Sequence, residues 1–170
     1  MIIWDMKSGW LRKKMKRNKY FQSLVLILTF LLVFWATSFA QDLVTVRRVI
    51  DGDTFILDNG EKVRLIGVDT PETKHPQKPV QYFAKEASEF TRRMIEGKTI
   101  LLEYDGKRSD RYGRLLAYVY LHDGTFLNAE IVKQGYGFAY TRYPFNYLDE
   151  FRNYEREASE NGKGLWSIKQ

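Results

Sequence analysis

The stretch "TFILDNGEKVRLIGVDT", residues 54–70, decides how this chain is read. Asn59-Gly60 stands between two apolar, β-branched runs. An Asn-Gly pair placed there is a strong hairpin signal, because both residues tolerate positive φ. The expected strands are residues 54–58 and 61–68. The second strand carries Arg64 inside its apolar run and ends at Asp69, and a Thr-Pro turn then leads to Glu72 in "PETKHP", residues 71–76. A guanidinium or carboxylate buried without a partner is costly, since burial strips its water and returns nothing. These charges must find one another or a ligand.

Working outward, "LVTVRRVI" (43–50) is a β-branched run that predicts a first strand, and "DGDT" (51–54) joins it to the hairpin. Beyond residue 80 the apolar period changes to three and four: Val80, Phe83, Ala84, Ala87, Phe90, Met94 and Ile95, with Gly97 just past the last. That spacing predicts an amphipathic helix with a glycine stop. Strands are predicted at 99–104 and 115–121, with the charged loop "DGKRSDRYGR" between them, and a short helix at 127–134. Asn146 is placed to cap a last helix, with Tyr147, Phe151, Tyr154 and Ala158 on one face and Gly162 and Gly164 ending it. Trp166 and Ile168 are expected to pack the tail down. Three strands, a helix, two strands and trailing helices form the element order of an OB-type barrel, an α+β arrangement that often binds oligonucleotides.

The chain has 170 residues, 44% of them hydrophobic, which suffices for one compact domain and an appendage. Seven Lys and Arg within residues 1–40 precede the apolar run "LVLILTFLLVFWA" (24–36), and small Ser38 and Ala40 follow it. Residues 1–40 therefore read as a signal peptide cleaved after Ala40, or else an N-terminal membrane anchor. Met15 would open a leader of more ordinary length, so translation is expected to start there rather than at Met1. The net charge of +6 belongs to this segment: residues 41–170 hold 20 basic and 20 acidic residues. Any phosphate-binding surface is then local. With no cysteine, secretion would bring no disulfide.

"DGDT" is no EF-hand, because the positions that need Gly and Glu hold Ile56 and Lys62. The hairpin can instead bring Asp53 near Asp69. Two adjacent carboxylates repel, and a hard divalent cation resolves that by taking carboxylate, carbonyl and water oxygens; Thr70, held extended by Pro71, can offer a carbonyl. Two histidines, His75 and His122, and no cysteine supply zinc poorly. Glu72 is a candidate to orient or deprotonate water. Arg64 and Arg114 are candidates to grip a phosphodiester whose charge rises during attack.

The motifs "VIDGDT", "RLIGVDTPETKHP", "EASEFT", "DRYGRLLAY" and "IVKQG" occur in an order that resembles the thermonuclease family, staphylococcal-nuclease-like calcium-dependent nucleases, over about residues 44–166. The resemblance implies a five-stranded OB-fold barrel with three helices that hydrolyses DNA and RNA to products bearing 3′-phosphates. By motif it implies calcium held by Asp53, Asp69 and the Thr70 carbonyl, with Asp51 as an acid nearby. It implies Glu72 as the residue proposed as general base, and Arg64 and Arg114 as the arginines on the scissile phosphate. Arg111 and Tyr112 resemble a Lys-Tyr pair near a terminal phosphate, and Tyr140 resembles a tyrosine near the base. "AYTRY" departs from the pattern by placing Arg142 where a tyrosine is usual. Residues 41–170 are thus expected to be a secreted, monomeric nuclease domain with no obligate protein partner. The rival readings are an OB module that binds nucleic acid without cleaving it, and a nuclease still tethered through residues 20–40.

Overall fold

The computed structural model describes residues 21–27, 42–73 and 80–167. The chain divides into two compact units, residues 1–40 and 41–170. In the first, residues 21–27 are helical and exposed. Among the described residues no helix is long and apolar enough to cross a membrane. Met15, Ala40 and Gln41, on which the leader expectations turn, lie outside the described residues, as do His75 and Ile168.

The second unit is an α+β domain built on a closed five-stranded barrel. Its elements are β1 (Asp42–Asp51), β2 (Thr54–Leu57), β3 (Lys62–Leu65), β4 (Val68–Asp69), α1 (Ala84–Ile95), β5 (Thr99–Glu103), β6 (Leu115–Tyr120), α2 (Leu127–Lys133), β7 (Phe138–Ala139) and α3 (Leu148–Glu160), followed by a 3₁₀ turn at Gly164–Trp166. The strands run in the order β1-β2-β3-β6-β5, and β5 closes back on β1. This is the OB-type barrel with three helices that the element order predicts. Register shifts in β1 between Val46 and Arg48 and between Val49 and Asp51 bend that strand, so that it pairs with β2 at one end and β5 at the other.

The hairpin forms at Asn59-Gly60, but with a longer turn: the strands end at Leu57 and resume at Lys62, and of the pair only Gly60 takes a positive φ. Gly60 has φ 88°, donates to the Leu57 carbonyl, and brings Leu57 N–H onto the Glu61 carbonyl at 2.9 Å. The strand after it is shorter than expected. It stops at Leu65 because Gly67 turns the chain at φ 73°, and a Cβ there would sit 2.6 Å from the Phe145 ring; Val68 and Asp69 then pair separately with β7. The first barrel helix starts at Ala84 instead of Val80, behind Phe83 in the left-handed region at φ 65°. The last helix is not capped by Asn146. Its N-cap is Tyr147, without a side-chain cap, and the Asn146 N–H is taken by the Asp105 carboxylate at 2.8 Å.

Inward-facing Val46, Phe55, Leu57, Val63, Leu65, Ile100 and Val119 fill the barrel, which Ile95, Leu127, Ile131 and Phe151 cover from the helices. Each such side chain stabilises the fold by roughly 1.5–3 kcal/mol. Asn128 is fully buried among them. Its Oδ1 accepts from Val119 N–H and its Nδ2 donates to the Ile66 and Ala117 carbonyls, tying α2 across the parallel β3–β6 pair.

Candidate active site

Three strand ends meet at Arg64. Asp53 follows Gly52, where a Cβ would lie 2.8 Å from the Thr70 side chain, so glycine lets the β1–β2 turn close against Thr70. Asp53 Oδ1 receives Arg64 Nη1 at 2.6 Å and Thr54 Oγ1 at 2.8 Å, and its Oδ2 receives Thr70 N–H at 3.0 Å. Arg64 Nη2 reaches Asp69 Oδ1 at 2.7 Å and the Val68 carbonyl at 3.4 Å. The exposed fraction of the side chains rises along this line, from 4% at Asp53 through 20% at Arg64 to 50% at Asp69. One guanidinium therefore links a buried carboxylate to one at the surface.

Burial pushes the Asp53 carboxyl above its ordinary value, although Arg64, Thr70 N–H and Thr54 pull the other way. Burial also disfavours the Arg64 charge, but Asp53 and Asp69 outweigh it and hold the guanidinium above its usual value. Among the described residues no cluster of three or more His, Cys, Asp and Glu could hold a metal ion. The donors at hand are two carboxylates and a main-chain carbonyl, hard oxygens suited to a cation that completes its shell with water. They fit such an ion on three observations: Asp53 is a buried acid whose charge burial disfavours even beside Arg64, Asp69 Oδ2 takes no hydrogen bond among the described residues, and Thr70 Oγ1 is buried without a partner.

Asp51 and Glu72 lie beside this cluster with other partners. Asp51 Oδ1 accepts from Thr73 N–H at 3.1 Å and from the Thr73 hydroxyl. The Glu72 N–H donates to Gln81 Oε1 at 3.0 Å, and its carbonyl accepts from Gln81 N–H at 3.3 Å. Arg114 makes no direct contact with the Arg64 cluster. Its Nε and Nη2 both hold Asp110 Oδ2 at 2.7 Å, and Asp110 Oδ1 caps the loop by accepting from Tyr112 and Arg114 N–H. Burial opposes the Asp110 charge, yet these bonds keep its carboxyl below the ordinary range. Arg114 stands two residues before Leu116, which pairs with Arg64, so the parallel register brings the two arginines' strands side by side.

The remaining candidates form an exposed fringe. Arg111 Nη2 donates to the Tyr112 hydroxyl at 2.6 Å, and the Tyr112 ring has the guanidinium carbons of Arg111 and Arg114 4.8 and 5.4 Å from its centroid. Tyr140 donates its N–H to the Gly67 carbonyl and lies within electrostatic reach of Arg64. Its ring centroid is 6.1 Å from that of Tyr143, and the Arg142 guanidinium lies 5.9 Å from the Tyr143 ring.

A family model described as staphylococcal nuclease homologue matches residues 62–168, which include Arg64, Asp69, Glu72 and Arg114. The chain belongs to this family. It is 44% identical over 124 residues to the thermonuclease of Staphylococcus hyicus, covering 71% of this chain and 73% of that protein. It is 45% identical over 128 residues to the thermonuclease of Staphylococcus intermedius, covering 71% and 74%. It is also 43% identical over 130 residues to endonuclease YncB of Bacillus subtilis, covering 73% of this chain and 61% of that protein.

Around the candidates the structure adds partners that the sequence analysis does not name: Asp110 holds Arg114, and Gln81 holds the Glu72 main chain. Asp110 had a legible signal, an acid four residues before Arg114 in a Gly-containing turn. Gln81, Tyr143 and the buried Thr91, whose hydroxyl donates to the Gly52 carbonyl at 2.6 Å, carried none.

Proposed function

We propose that the chain is a calcium-dependent nuclease that hydrolyses phosphodiester bonds of DNA and RNA by in-line attack of water, leaving 3′-phosphate products. Its standing as a phosphodiesterase of the thermonuclease type follows from its family; the ion, the products and the residue roles are the further content of the proposal. The observation that carries it is Arg64 shared between Asp53 and Asp69. The two acids hold a planar cation in place, and the N–H groups of its five-donor fork that they do not take suit phosphate oxygens.

In this reading Asp53, Asp69 and the Thr70 carbonyl hold the ion. When bound, calcium would neutralise charge on the scissile phosphate and make its own water a better nucleophile. Arg64 and Arg114 bind the equatorial phosphate oxygens and stabilise the charge that rises during attack. Glu72 holds the attacking water or takes its proton. Tyr112, Tyr140 and Arg142 offer stacking faces that tolerate any base, with Arg111 on a flanking phosphate.

The test is turnover of the full chain on single- and double-stranded DNA and on RNA, with calcium, with magnesium and with chelator. Cleavage with calcium and little with magnesium is expected, because magnesium demands a tight octahedron at about 2.0–2.1 Å. Equal turnover with both ions would remove calcium from the proposal, and binding without cleavage would remove catalysis. We also read residues 1–40 as an export leader cut after Ala40, so that mass spectrometry of exported protein begins at Gln41. A chain retaining Trp35 would be membrane-anchored.

A further inference from the structure

The Glu72 carboxylate has no partner among the described residues, while the main chain on both sides of its Cα is fully engaged. Before it, Pro71 fixes its own φ. The Glu72 N–H is held by Gln81 Oε1, the Glu72 carbonyl by Gln81 N–H, and the N–H of the next residue, Thr73, by Asp51 Oδ1. Both peptide planes that meet at this Cα are therefore pinned, from a loop on one side and the end of β1 on the other. Pinning both planes fixes the direction in which the Cα–Cβ bond leaves the chain. A carboxylate that must meet a water at one point needs this, because its own flexible side chain does not supply it.

Resting on the reading of Glu72 given above, we infer that Gln81 is a positioning residue for Glu72, acting through its side-chain oxygen, with Asp51 as the second tether. Gln81 touches neither Arg64 nor Asp53 nor Asp69, and it is exposed, so its side chain contributes little to the core. It stands nine residues along the chain from Glu72, outside the barrel strands.

Gln81→Met preserves length and removes the acceptor; Gln81→Glu preserves the acceptor. For the full chain, Gln81→Met is expected to lower kcat about tenfold with KM and the calcium midpoint unchanged, and Gln81→Glu to stay within about twofold. Tenfold is short of the roughly 10²-fold that a full ångström of misplacement can cost, because the Asp51–Thr73 tether remains. In a Glu72→Gln background, Gln81→Met should add no further loss, since there is no longer a carboxylate to aim. The inference is overturned if Gln81→Met stays within twofold of wild type, if Met and Glu lower kcat alike, or if the Met loss persists in the Glu72→Gln background. If Glu72→Gln alone leaves kcat unchanged, the role given to Glu72 fails first and the inference falls with it.

Discussion

Arg64 and Arg114 carry the same group in opposite kinds of surroundings. Arg64 belongs to a barrel strand and is held by acids that come from the β1–β2 turn and from β4, one of them buried. Arg114 ends a surface loop and is held by Asp110, four residues earlier in the same loop. One arginine is thus placed by the fold, and the other by a local turn that the fold only positions. A guanidinium can be held in place either way. The difference lies in what else depends on it.

The largest effect should come from replacing each arginine by lysine, which keeps the charge but not the planar fork. Both variants are expected to lose about 10²–10³ in single-turnover cleavage, the usual cost of one preorganised donor. Their stabilities should separate. Arg64→Lys leaves the buried Asp53 short of a donor, at about 1–3 kcal/mol, whereas Arg114→Lys loses one of two bonds to Asp110 on a local loop, at about 0.5–1 kcal/mol. Urea denaturation beside the cleavage assay checks both. Arg114→Lys cleaving within about threefold of wild type would make it a solvated loop charge, and equal stabilities would erase the contrast.

A smaller effect sharpens the buried side of the comparison. Burial raises the folded-state pKa of Asp53, so the folded chain binds that proton more tightly than the unfolded one. The stability this gives is fully present below the ordinary value of about 3.9 and is lost as pH rises through the folded-state value. Metal-free wild type should therefore weaken over that window. Asp53→Asn, neutral throughout, should melt higher than wild type at neutral pH without metal, show a flatter pH dependence, and no longer gain Tm from calcium. Calorimetry with and without chelator reads all three; an Asn variant that melts lower at neutral pH would mean the Arg64 pair outweighs burial.

The smallest effect belongs to the exposed fringe. Arg142→Ala removes an exposed guanidinium beside Tyr143 that the proposal places against a substrate base, where a cation–π contact is worth about 0.5–1 kcal/mol. KM for a short oligonucleotide should rise roughly two- to fivefold with kcat unchanged, as for a contact made equally in ground and transition states. A fall in kcat of that size or more would move Arg142 into the chemistry.

Local chemistry was the legible part of the fold. Asn59-Gly60, the period of Ala84 to Ile95 and the apolar runs of β5 and β6 each state their structure within a few residues. The early end of β3 was not legible, because it depends on Phe145 lying against Gly67. Asn146 carries the signature of a cap, yet the helix begins one residue later, behind Tyr147; the Asp105 carboxylate that holds the Asn146 N–H lies 41 residues away and leaves no local signal. The site divides in the same way. Asp53 and Asp69 could be brought near each other from a hairpin alone, whereas the Arg64 guanidinium that bridges them is seen only in the fold. Asp51 turned out to hold Thr73, and Gln81 to hold Glu72, through contacts that exist only once the chain has folded back.

The parallel pairing of β3 with β6 has a consequence for when the molecule becomes active. Val63 meets Leu115 only after the whole of α1 and β5 has been laid down between them, and Asn128, further on still, ties the pair. Closing so long a loop is entropically late in folding. A chain emerging from synthesis therefore carries Arg64 and Arg114 as two unrelated residues. The step that closes the barrel is what first brings their strands side by side, so any function that needs both arginines waits for it.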